Sequence, residues 1–187
     1  YYCALVRKAE PHLLTSTRPE WVDRIQREID DLRLVLAWTR AHDRGRHIEL
    51  AGRLAWFWYS SGLWTEGRSW LEGALALSDP KLGDDRRAQH RYNAACAAAL
   101  AAAGQGTDGP KPDEAARAQL RGQALDWLKA ERAAWAKVLD AGETQARPVV
   151  VRTLEHWRAD SDLASVRDPD ALAPLPEAEQ KGWRALW

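Results

Sequence analysis

The chain has 187 residues, 45% hydrophobic and 29% charged, which suits one packed unit or a short repeat array and excludes a disordered segment. Its 27 Lys and Arg balance 27 Asp and Glu, so no net field gathers phosphate backbones or anionic lipid, and nucleic acid is not an expected partner. Tryptophan is in excess, with 11 against a single Phe and no Met, so indoles are expected to replace the usual core fillers.

From Tyr1 to Leu14, the spacing of Leu5, Val6, Ala9 and Leu13 predicts a first helix bent at Pro11. Ile25, Ile29, Leu32 and Leu36 recur at steps of four, three and four and predict one helix from Pro19 to His42, with Thr17 as its N-cap. Gly45 breaks the pattern. Ile48 to Ser61 is the third helix, carrying Leu50, Leu54, Phe57 and Trp58, and Gly62 stops it. Trp64 to Leu77 is the fourth, with Trp70, Leu71, Ala74 and Leu77 inward and Asp79-Pro80 at its end.

The alanine-rich run Ala88 to Ala103 has near-maximal helix propensity. Gly104 to Pro112 is a loop, and the helical period resumes from Asp113 through Leu120, Ala124, Trp127, Leu128, Ala134, Trp135 and Val138 towards Gly142. Pro148 opens a helix towards Trp157; its β-branched start, Val149 to Val151, would suit a strand, but no partner strand is evident. Asp168-Pro169 and Leu175-Pro176 mark two further helix starts. The expected fold is therefore all-α, with about eight helices stacked as antiparallel hairpins.

No apolar run is long enough to cross a membrane and no secretory signal pattern opens the chain, so no membrane partner and a cytoplasmic location are expected. Beginning at Tyr1 without any Met, the chain reads as an excised region of a longer protein. Cys3 and Cys96 are too few for a disulfide framework or a four-ligand zinc site and are expected to be buried, reduced thiols.

The segment Ile48 to Pro80 has repeat-like length and order: Leu54 and Ala55 before Trp58, Gly62 in the turn, Gly67 small in the second helix, then Leu71, Ala74 and Asp79-Pro80. It resembles a tetratricopeptide repeat, which implies a solenoid. Tyr92 to Cys96 and Ala124 to Trp135 form a looser echo with a long intervening loop. Asp30 to Trp38, Leu50 to Leu54 and Gly67 to Glu72 carry a further likeness. Through them, Tyr1 to Pro80 resembles the helical region after the nucleotide-binding domain of bacterial signalling ATPases and regulators of the LuxR and antibiotic-regulator type. Tyr92 to Ala99, Gln123 to Leu128 and Asp162 to Asp168 make Arg91 to Trp187 similar to the repeat tail of planctomycete serine/threonine protein kinases. The expected organisation is hairpins over 1–80 with one repeat-like unit at 48–80, then a second helical block over 84–187, in one continuous stack. Lys81 to Arg87 is the seam, of a natural fusion or an engineered one. These resemblances imply a regulatory, partner-binding region beside catalytic parts that lie elsewhere.

No catalytic residues are expected. P-loop, His-Arg-Asp and Asp-Phe-Gly motifs are all missing, and adjacent carboxylates such as Asp30 and Asp31 do not converge on one helix face. Gly104 to Gly109 matches G-x-G-x-x-G, but it follows a helix rather than a strand, and Pro110 and Pro112 remove backbone donors; a plain loop and no cofactor are expected. His12, His42, His47, His90 and His156 lack the i, i+4 spacing of a metal site, and Asp160, Asp162, Asp168 and Asp170 lack the glycine and glutamate of a calcium loop, so no metal is expected.

Four consecutive aromatics, Trp56 to Tyr59, cannot all face one core. If Phe57 and Trp58 pack inward, Trp56 and Tyr59 either line a groove with Glu49 and Arg53 or fill the gap to the next hairpin. Asn93 resembles the asparagine that holds a bound peptide backbone in many tetratricopeptide repeats, with a capping role as its alternative. Glu49, Arg53, Trp56, Tyr59 and Asn93 are thus the candidate groove. The expected function is a non-catalytic protein- or peptide-binding scaffold of a bacterial signalling protein. Alternatives are a segment of a transcriptional regulator that senses a small inducer, and a structural spacer or engineered fusion without ligand.

Overall fold

A computed structural model describes residues 1–13, 15–77, 89–142 and 146–187. Among them every regular element is helical, as the sequence periodicity predicts. The helices are α1 (Tyr2–Ala9), α2 (Arg18–Arg27), α3 (Ile29–His42), α4 (Arg44–Arg53), α5 (Ala55–Ser60), α6 (Trp64–Leu77), α7 (His90–Ala102), α8 (Glu114–Asp140), α9 (Arg147–Ala159), α10 (Ala164–Arg167), α11 (Pro169–Leu172) and α12 (Glu177–Leu186). Short 3-10 turns at Glu10–His12 and Ser161–Leu163 complete the set. Asp79-Pro80 and the expected seam at Lys81 to Arg87 lie outside the described residues.

The helices outnumber the expected eight partly because two long ones are each broken once. The helix predicted over Pro19 to His42 divides at Glu28, whose φ of −103° and ψ of 8° end α2 and start α3. Ile25 and Ile29 stay buried on either side, so the hydrophobic period runs through a break that it cannot reveal. Leu54, at φ −86° and ψ −1°, divides the predicted Ile48 to Ser61 helix in the same way. Gly45 does not act as a breaker. Asp43 caps α4 by accepting the Arg46 N–H at 3.0 Å, which places Gly45 within the first turn. Thr17 does not cap α2 with its hydroxyl, which instead meets Thr15 Oγ1 at 2.8 Å and His12 Nδ1 at 3.1 Å. Cys96 is buried as expected, whereas Cys3 is only half-buried.

The chain forms two compact units: Tyr1–Ala94 with Gly106–Gly109, and Ala95–Gln105 with Pro110–Trp187. In the first, α4 packs against α1, α3 and α6. Val6, Leu13, Ile25, Leu32, Leu36, Leu50, Leu54 and Phe57 are fully buried in the core it organises. Bidentate Arg33–Glu66 hydrogen bonds of 2.8 and 2.7 Å fasten α3 to α6. The α5–α6 hairpin turns at Gly62, whose φ of +70° lets the Leu63 N–H reach back to the Trp58 carbonyl at 3.0 Å. Beyond the turn, Gly67 passes under Trp58 so closely that a Cβ there would lie 2.4 Å from the Trp58 Cβ.

In the second unit α8 packs along α12. Arg121, with a side chain only 8% exposed, holds Glu179 through bonds of 2.8 and 3.2 Å and Glu114 through one of 2.8 Å. The two carboxylates offset the desolvation of the Arg121 charge, which alone would be costly to bury. Asp113 caps α8 by accepting the Ala116 N–H at 2.8 Å. Val149 to Val151 form the first turn of α9 rather than a strand.

The two units allow a paired prediction from one kind of substitution. Gly67→Ala is expected to destabilise by about 3 kcal/mol, because the methyl group is forced into Trp58. Gly122→Ala, in the interior of α8 with nothing within 4 Å of the added Cβ, is expected to stabilise by about 1 kcal/mol. Urea denaturation of both variants measures the contrast; equal effects would contradict the packing described at Gly67.

Candidate functional site

The four aromatics of α5 divide between two environments. Phe57 and Trp58 are buried in the core, their rings 5.0 Å apart and tilted by 67°. Trp56 and Tyr59 are half-buried, with centroids 5.3 Å apart in an edge-on arrangement. Trp56 packs against the core. Tyr59 is bordered by Trp64, whose indole N–H donates to the Tyr59 carbonyl at 3.0 Å.

Glu49 and Arg53, one turn apart on α4, are also brought together, but in a ladder that includes the N-terminal helix. Arg7 donates to Glu49 at 2.8 Å, Arg53 Nε donates to the same carboxylate at 3.1 Å, and Arg53 Nη1 reaches Glu10. The Arg7 bond, helped by Arg53, holds the Glu49 carboxyl below the usual carboxylate range against the opposing effect of burial. These side chains therefore tie α1 and the following turn to α4. Asn93 lies half-buried in the first turn of α7, between buried Tyr92 and Ala94.

The glycine-rich segment docks on α6. Thr107 donates to the Gly62 carbonyl through its N–H at 3.2 Å and its hydroxyl at 3.1 Å, and Asp108 accepts the Glu66 N–H at 2.7 Å. An aspartate 42 residues downstream thus caps the helix.

Two features escape sequence reasoning. The first is Trp38. Its helical spacing predicts a packing position, yet it is 54% exposed, and Leu34 one turn earlier is 69% exposed. Ile29, Leu32, Leu36 and Thr39 already fill the inner face of α3, so Leu34, Ala37, Trp38 and Ala41 form a second apolar stripe facing outward. The Trp38 indole stacks on His42 with centroids 4.9 Å apart. A charged or polar face is the ordinary expectation at those positions, and the only signal was that the residues there are apolar.

The second is His47, which is fully buried between α3 and α6. Its Nδ1 lies 3.2 Å from the Leu36 carbonyl, to which it donates in the tautomer that carries the proton there, and its Nε2 faces Gly73. Burial lowers its pKa, the Leu36 carbonyl opposes the shift, the nearby Arg40 charge adds to it, and a backbone hydrogen bond at Trp70 opposes it further. Comparison with protein-family models, curated proteins and solved structures finds no match to this chain.

The lowered His47 pKa fixes the sign of a pH effect. In the unfolded chain the ring takes up a proton near 6.5, whereas in the folded protein it does so only at lower pH. Stability is therefore full above that value and falls as pH drops towards the folded pKa, by up to about 1.4 kcal/mol per pH unit. Urea midpoints measured from pH 7.5 to 5 are expected to show this slope and to lose it in His47→Asn. An unchanged slope in the variant would contradict the neutral, buried imidazole.

Proposed function

We propose that the chain is a non-catalytic scaffold that binds a protein or peptide partner, as a tetratricopeptide-like stack of hairpins within a bacterial signalling protein. The observation that carries this reading is the second apolar face of α3. Leu34, Ala37, Trp38 and Ala41 follow the i, i+3, i+4, i+7 pattern with which one helix meets another element, and they are exposed. A large exposed indole flanked by apolar neighbours is the kind of anchor that dominates protein interfaces.

This face serves the function better than the groove around Glu49 and Arg53, whose charges are engaged with Arg7 and Glu10. Trp56 and Tyr59 remain a second aromatic surface. The partner is expected to present an uncharged, apolar segment, since the chain as a whole carries no net charge.

Peptides selected against the protein from a random library displayed on phage test the proposal. Trp38→Ala, which leaves the core intact, is expected to weaken their binding by about tenfold or more, and Trp56→Ala to change it little. Loss of binding in Trp56→Ala alone would move the site to the α5 aromatics. A library that yields no binder sensitive to either variant would overturn the scaffold reading.

A further inference from the structure

In the second unit, three side chains with metal-binding atoms converge from separate stretches of sequence. Cys96 lies midway along α7 and is 4% exposed. Asp160 ends α9, with its side chain 13% exposed, and Asp162 lies in the 3-10 turn that follows. One ligand atom of each, the thiol sulfur and two carboxylate oxygens, falls within 4.8 Å of the other two.

The arrangement is held by the surrounding structure. Asp160 Oδ1 accepts the Asp162 N–H at 3.0 Å, which fixes one aspartate against the other. Leu163 and Val166 are fully buried, and the Ser165 hydroxyl donates to the Ala99 carbonyl at 3.4 Å, one turn beyond Cys96. Arg167 donates to the carbonyls of Trp157 at 3.3 Å and Asp160 at 2.6 Å, closing the turn from its other side. On α7, Cys96 is flanked by alanines at 95, 97, 98 and 99, whose short side chains let the aspartates come close to the sulfur. A third type of ligand stands at the rim, since His156 Nε2 is 3.6 Å from Asp160 Oδ2.

We propose that Cys96, Asp160 and Asp162 bind a divalent transition metal, with Zn2+ the best fit and His156 or a water completing a four-coordinate shell. The thiol decides the class of ion. Sulfur favours Zn2+ and its neighbours in the transition series over Mg2+ or Ca2+, which take oxygen ligands alone. Three atoms within 4.8 Å of one another can each be no more than about 2.8 Å from a shared central ion, so movements of less than about 1 Å reach ordinary zinc distances. Binding forms a sulfur–metal bond and releases the thiol proton to solvent, with no change of oxidation state. The ion would join α7 to the α9–α10 connection and stabilise the second unit.

Titration of the full chain with Co2+, a spectroscopic stand-in for Zn2+, tests the site. The expected result is one equivalent bound, with a thiolate-to-cobalt charge-transfer band in the near ultraviolet that Zn2+ then bleaches. Cys96→Ser should abolish the band, Cys3→Ser should keep it, and Asp162→Asn should weaken binding by about tenfold or more. Helical circular dichroism of each variant identifies any that fail to fold, and Cys96→Ala then substitutes for the serine. Absence of the band, its persistence in both Cys96 variants, or cobalt spectra without thiolate character would each overturn the site.

Discussion

Trp58 rests on the backbone of α6 at Gly67, where that helix has no side chain. With Gly67 beneath it, the indole is buried while its neighbour Phe57 enters the same core. The approach sets the spacing of the α5–α6 hairpin, and the left-handed turn at Gly62 brings the chain back at that spacing. With α6 so close, His47 fits between α3 and α6, Arg33 reaches Glu66, and the N-terminus of α6 lies within reach of Asp108. A larger residue at 67 would disturb all of these contacts, because a close-packed interior transmits strain rather than absorbing it.

The same packing explains why α3 keeps one apolar face outside. Its inner residues are consumed by α4 and α6, and the charge ladders of Arg33 with Glu66 and of Arg7, Glu49 and Arg53 lie at the edges of the core, where they join helices. Leu34, Ala37, Trp38 and Ala41 add nothing to that core. These four apolar residues in register on the outside are the surface on which the proposed function rests. The second unit is organised differently: an alanine helix buried along residues 95–102, and a buried Arg121 shared by two glutamates.

What could be read from the sequence follows from the range of each interaction. Ile25, Ile29, Leu32 and Leu36 are buried as their spacing predicts, since burial on a helix face depends on neighbours three and four residues away. The breaks at Glu28 and Leu54 were not legible, because a bend that preserves the buried face leaves the hydrophobic period unchanged. The exposure of Trp38 is not legible in its spacing, because periodicity groups residues on a face without saying how many faces are covered. Asp108 capping α6, and Cys96 meeting Asp160 and Asp162, depend on segments far apart in the chain, which no local spacing encodes. Beside the candidate groove, the burial of Phe57 and Trp58 follows the helical period, whereas the involvement of Glu49 and Arg53 with Arg7 and Glu10 is not encoded in any local spacing.

The proposed docking of a partner on the outward face of α3 is open to direct measurement. Fluorine NMR of the protein labelled with 5-fluorotryptophan reads all 11 indoles at once, each assigned by single substitution. Addition of a bound peptide should shift the Trp38 resonance and leave those of buried Trp58 and Trp157 in place. A Trp38 resonance unmoved at saturation, whichever other indole responds, would contradict the claim.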